Sequence, residues 1–174
     1  TSGLDAQIDY LMPFLDGDLL WHFVANYNDQ HTIVNGGVTC NSAGVAGIGL
    51  PSGCGGNGGF NPKFRGTLSA GYTEGPLSAT IQTRFSSTYR LNNLWLPGTH
   101  VDDNSVPWNA YFDLRGSYQL DDNFQVYGAV DNIFGTPPLL VPPLASGGSS
   151  YQSLGAVGDT LGRVLRVGVR FQAD

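Results

Sequence analysis

Seven separate stretches of about ten residues alternate apolar and polar side chains with a period of two. That period places every second side chain on one face of a β-strand, and it excludes a helix of useful length. Leu4, Ala6, Ile8, Tyr10, Met12 and Phe14 oppose Asp5, Gln7 and Asp9. Leu19, Trp21, Phe23, Ala25 and Tyr27 oppose His22 and Asn26. Phe64, Gly66, Leu68, Ala70 and Tyr72 oppose Arg65, Thr67, Ser69 and Thr73. Leu77, Ala79, Ile81, Thr83 and Phe85 oppose Ser78, Thr80, Gln82, Arg84 and Ser86. Phe112, Leu114, Gly116, Tyr118 and Leu120 oppose Asp113, Arg115, Ser117 and Gln119. Phe124, Val126, Gly128 and Val130 oppose Gln125, Tyr127 and Asp131, and Leu165, Val167, Val169 and Phe171 oppose Arg166 and Arg170. About ten residues is the length a tilted strand needs to cross a bilayer. No run of about 18 apolar residues occurs, so no transmembrane helix is expected.

The connections carry a second signal. Short turns are expected at 15–18, 74–76 and 121–123, and long Gly/Pro/Asn-rich loops at about 33–61, 88–108 and 135–161. Strict alternation of short and long connections is expected of a bacterial outer-membrane barrel, whose tight turns face the periplasm and whose long loops face outside. The first and seventh strands then both descend toward the periplasm. Tyr10, Phe14, Trp21, Tyr72, Tyr118, Phe124 and Phe171 fall near the periplasmic ends, and Tyr27, Phe64, Phe85, Phe112 and Phe134 near the outer ends. Aromatic girdles flanking an aliphatic band suit the two headgroup levels of a membrane. A soluble sandwich would explain the alternation but neither the girdles nor the loop asymmetry. The expected fold is all-β: an antiparallel transmembrane β-barrel segment of about seven strands.

Charged residues make up only 13% of the chain, about half the share of a soluble domain. The net charge of -6 and the scattering of only eight Lys and Arg argue against nucleic acid as a partner. Cys40 and Cys54 share one Gly-rich segment. A disulfide in an oxidising compartment is expected there, with two free thiols as the other reading. Thr1 opens directly into patterned sequence, with no basic or apolar leader, which suggests a mature product or a piece of a longer chain.

Residues 111–134 read YFDLRGSYQLDDNFQVYGAVDNIF and residues 161–171 read LGRVLRVGVRF. The first resembles the penultimate hairpin of TonB-dependent outer-membrane receptors, which closes on an Asn-Leu-Phe-like box, here Asn132-Ile133-Phe134. The second is similar to that family's final strand. The earlier PKFRGTLSAGYTEGPLSATIQTRF, 62–85, is similar to the hairpin that precedes them. The resemblance implies that residues 1–174 are the C-terminal portion of a 22-stranded barrel, without its plug domain. It implies an outer-membrane location in a Gram-negative bacterium and import of a scarce nutrient of the siderophore, vitamin or oligosaccharide class. The implied partners are the rest of the barrel and the plug, TonB through the missing N-terminal part, the barrel-assembly machinery and outer-membrane lipid. The terminal pattern departs from the family's, because Gln172, Ala173 and Asp174 follow Phe171. Arg166, Gly168 and Phe171 still fit the assembly signal. Seven strands would leave two unpaired edges, costly in lipid, so the chain is expected to complete a larger assembly. The other reading is a stand-alone or self-associating sheet or barrel module with a structural or binding role.

No catalytic set is visible, so no enzyme and no cofactor is expected. His100 beside Asp102 and Asp103, and His31 beside Asp29, are read as loop polarity rather than metal ligands, since no zinc spacing occurs. Gly53–Gly59 opens no helix and is not read as a phosphate loop. His22, Asn26, Arg65, Arg84, Asp113, Arg115, Asp131, Arg166 and Arg170 are expected to face the lumen, more as a structural network than as a substrate site. In the outer loops Tyr89, Trp95, Trp108 and Tyr151 offer ring faces for a ligand.

Overall fold

The structure, a computed structural model, describes residues 1–35, 37–46, 61–92, 95–138, 140–141, 152–153 and 161–172. Seven strands form one antiparallel sheet: β1 (Ser2–Phe14), β2 (Gly17–Gln30), β5 (Phe64–Glu74), β6 (Leu77–Ser86), β9 (Asn109–Gln119), β10 (Phe124–Asp131) and β13 (Val164–Phe171). They lie side by side in chain order. Each coincides with one of the seven alternating stretches. Among the described residues the sheet does not close on itself: β1 and β13 each pair with one neighbour. Among the described residues there is no helix, and none long and apolar enough to cross a membrane.

The register makes the alternation two-dimensional. Ala6 faces Ala25, which faces Gly66, then Phe85 and Ala110. Ile8 leads to Phe23, Leu68, Thr83 and Phe112, and Trp21 to Ala70, Ile81, Leu114 and Val130. One continuous apolar face therefore runs across all seven strands. Among the described residues nothing covers it: Leu4, Ile8, Leu165 and Val167 are 60–79% exposed. A register slip of one residue in any strand would turn its apolar set to the other side. Two details depart from the clean division. Leu11, Leu20 and Val24 lie on the polar face, and Leu11 and Leu20 pair directly.

The short turns occupy one end of the sheet. The first is tighter than expected, residues 15–16, because Gly17 already pairs with Phe14. Leu15 takes a φ of 54° there, left-handed backbone that a leucine adopts at a cost. Gly17 is required by its neighbour: a Cβ at this position would lie 2.2 Å from the Thr73 carbonyl oxygen. Gly17→Ala is expected to force β2 away from β5 and cost about 1–3 kcal/mol, measured as a lower urea midpoint. Gly71→Ala is the control, since its added Cβ meets nothing nearer than Thr80 Oγ1 at 3.5 Å.

The long connections gather at the opposite end. Contrary to the expectation of plain loops, each carries a small antiparallel pair: β3 (Thr32–Asn35) with β4 (Val38–Asn41), β7 (Tyr89–Arg90) with β8 (Ser105–Val106), and β11 (Leu140–Val141) with β12 (Gln152–Ser153). Four aromatic contacts mark the two ends. Phe14–Tyr72 and Phe124–Phe171 sit at the turn end, and Phe64–Phe85 and Phe112–Phe134 at the loop end, with centroids 5.1–6.1 Å apart. Ring pairs at these distances attract beyond the area they bury.

The buried residues sit at the loop end. Val45, Ala46, Leu91, Val106 and Tyr111 form its apolar part, and Ser86, Asn92, Asn104, Asn109, Asp113 and Asn132 its polar part. The first two long connections are joined through their backbones. Ala46 donates to the Arg90 carbonyl at 2.7 Å, and Arg90 donates to the Gly44 carbonyl at 2.9 Å.

Candidate functional site

The polar face is a ladder of cross-strand partners. His22 Nδ1 meets Asp9 Oδ1, and Asn26 donates to Asp5 Oδ1 at 2.6 Å; both are direct register pairs. Arg84 reaches diagonally to Asp113, and Arg166 pairs with Asp131. Six of the nine residues expected in the lumen thus bond to a partner on the same face, as a structural network requires. Arg65, Arg115 and Arg170 have no such partner among the described residues. Arg115 and Arg170 border one open groove of about 390 Å³ with Tyr127 and Gln125.

Asp113 is the most constrained of the nine. It is 3% exposed, a burial that a carboxylate tolerates only with partners. Arg84 Nε donates to its Oδ2 at 3.0 Å and Arg84 Nη2 to its Oδ1 at 3.4 Å. The backbone N–H of Asn132 donates to Oδ1 at 2.9 Å. The Arg84 guanidinium also lies 5.6 Å from the Tyr111 ring centre, within cation–π range. Tyr111 in turn donates to the Pro137 carbonyl.

Asn132 ends β10. Its φ is 52°, left-handed backbone to which asparagine is suited. Its Nδ2 donates to the Thr136 carbonyl and its Oδ1 accepts from Thr136 N–H, both at 2.8 Å. The Asn132-Ile133-Phe134 box is therefore a turn lock: it stops the strand, anchors to Asp113 and sets Phe134 against Phe112. The box as a sequence motif does not reveal this mechanical role. Asparagine directly after an alternating run was the available signal.

The second connection is held by Asn104. Its Nδ2 donates to the carbonyls of Asn92 at 2.7 Å and Trp95 at 2.8 Å, and its Oδ1 accepts from Asn92 N–H. Next to it, Asp103 accepts from Ser105 N–H at 2.8 Å, and the Ser105 hydroxyl and N–H hold its carboxyl below the usual range. His100 Nδ1 accepts from Leu96 N–H. Among the described residues no group of three or more His, Cys, Asp or Glu could hold a metal ion.

The four ring candidates separate. Trp108 is 69% exposed and Trp95 half-buried. Tyr89 offers no ring face, because β7 folds it beneath the loops at 3% exposure. Its hydroxyl is pushed to a higher pKa by that burial. Tyr151 and Cys54 lie outside the described residues, while Cys40 stands half-buried in β4.

The terminal strand has its own packing. Phe171 packs against Phe124 with the two rings tilted. Gly168 lies under Tyr127: a Cβ there would come within 2.4 Å of the tyrosine ring. Gln172 continues the pairing by donating to the Asn123 carbonyl at 2.9 Å.

No family model and no curated protein matches this sequence. Solved structures do. Two mutant forms of the ferric enterobactin receptor PfeA from Pseudomonas aeruginosa match it with a TM-score of 0.60 each, at 16% and 15% identity. Each match covers 97% of this chain and 22% of the receptor chain. At such identities the likeness is one of fold. The seven-stranded sheet shares its fold with part of these receptor chains, which are receptors rather than enzymes.

Proposed function

We propose that residues 1–174 form the C-terminal wall section of a 22-stranded TonB-dependent receptor in the outer membrane of a Gram-negative bacterium. The receptor imports a scarce nutrient of the siderophore, vitamin or oligosaccharide class. The observation that carries this reading is the single apolar face running unbroken across seven consecutive antiparallel strands. A membrane is the surrounding that such a face needs. The receptor-like fold over 97% of the chain supports it.

In this reading the short-turn end faces the periplasm and the joined long connections face outside. The polar ladder lines the lumen, where Arg65, Arg115 and Arg170 remain available to the plug. Trp95, Trp108 and Tyr151 belong to the outer ligand surface. Arg166, Gly168 and Phe171 present the terminal strand to the barrel-assembly machinery. Cys40 and Cys54 form a disulfide in the first outer connection; thiol labelling of the denatured protein should appear only after reduction, and labelling before reduction would contradict the pairing.

The test of transport is uptake by cells. A strain carrying the full-length protein should accumulate one labelled nutrient from a panel, and deletion of either its gene or TonB should abolish that accumulation. Accumulation that survives loss of TonB would refute the transport reading. The unpaired edges β1 and β13 favour one other reading, a sheet completed by self-association. Crosslinks between β1 and β13 of different copies would select it.

A further inference from the structure

The geometry points to an oxyanion-binding groove where the first two long connections meet. The backbone segment 44–46 lies between Asn61 and Arg90, bonded to both. Beside it runs a groove of about 540 Å³, bordered by Gly44, Lys63, Thr88, Tyr89, Arg90 and Ser105. Two of these are cations, in a chain whose acidic residues outnumber its basic ones by 14 to 8. Among the described residues neither Lys63 nor Arg90 makes an ion pair.

The groove is built rather than incidental. Gly44 has a φ of 75°, and a Cβ there would sit 3.1 Å from Lys63 Cγ. Its bare backbone lets the lysine stem lie across the segment, which fixes where the ammonium emerges. Tyr89 borders the groove, and its hydroxyl is buried with no hydrogen-bond partner among the described residues. Exposed Thr88 borders the groove as well, as does Ser105, whose hydroxyl is engaged by Asp103. An ammonium and a guanidinium beside one groove suit a phosphate or carboxylate group.

Two sources share that chemistry: a soluble anion and a lipid headgroup phosphate. Inorganic phosphate, titrated calorimetrically into the full-length protein in neutral detergent, should bind saturably. Lys63→Gln and Arg90→Gln should each weaken binding about tenfold, the scale of one charged hydrogen bond, while Lys63→Arg should retain it. Both side chains are exposed, so heat-modifiable mobility should stay unchanged and show that the variants fold. Adding phosphatidylglycerol to the micelles distinguishes the sources. Competition with phosphate assigns the groove to a headgroup, and undisturbed binding assigns it to a soluble anion. Absence of saturable phosphate binding, or equal binding by the Lys63→Gln/Arg90→Gln double variant, would overturn the inference without touching the transport reading.

Discussion

Replacing Asp113 by alanine should lower unfolding stability by about 2–4 kcal/mol, because breaking a buried charge pair leaves its partners unsatisfied. The carboxylate is buried and accepts from Arg84 and from Asn132 N–H. Its removal strands the Asn132 N–H in the core of the loop end. Arg84 is nearly half exposed, so water recovers part of its lost interaction, which sets the lower bound. Asp113→Asn keeps an acceptor for Asn132 and should cost markedly less. Urea titration followed by heat-modifiable mobility reads both variants. Equal midpoints for wild type and Asp113→Ala would mean that the loop end does not depend on this hub.

The second large effect concerns the apolar face. Ile81 and Gln82 are neighbours at the middle of β6, on opposite faces of the sheet. Ile81→Lys places a cation among Ala70 and Leu114. At the midplane of a bilayer such a substitution costs about 2–4 kcal/mol. Gln82→Lys places the same charge beside Asp113 and Ser69 on the polar face, and should be tolerated. The contrast holds depth and strand constant and changes only the face. Refolding yield into lipid vesicles measures it. Equal yields for the two lysine variants would contradict a lipid-facing apolar surface.

Much of the architecture was legible because a two-residue period is a strong signal when it persists for a whole strand. The runs at Leu77–Thr83 and Phe124–Val130 needed no tertiary information to be read as strands, and their register follows from keeping one face apolar. The small pairs inside the long connections were not legible. β7 spans only Tyr89–Arg90, too short for any alternation to declare itself. Tyr89 shows the same limit. An aromatic in a polar loop reads as a contact surface, and only the joining of residues 44–46 to Arg90 puts that part of the connection under cover. On the polar face the residue types were recognised, but not their pairing. Whether Arg84 meets Asp113 or Gln82 meets it first depends on diagonal geometry that strand patterns do not encode. Leu11 and Leu20 on that same face fit no alternating rule.

The apolar face of the sheet is the surface expected to meet lipid. Nitroxide labels placed singly along Leu77–Ser86 in the full-length protein, reconstituted in vesicles, measure this residue by residue. Positions 77, 79, 81, 83 and 85 should collide with oxygen dissolved in the hydrocarbon, and positions 78, 80, 82, 84 and 86 with a water-soluble nickel complex or with neither relaxant. Equal access of the nickel complex to both sets, or loss of the two-residue period, would contradict a membrane-spanning wall.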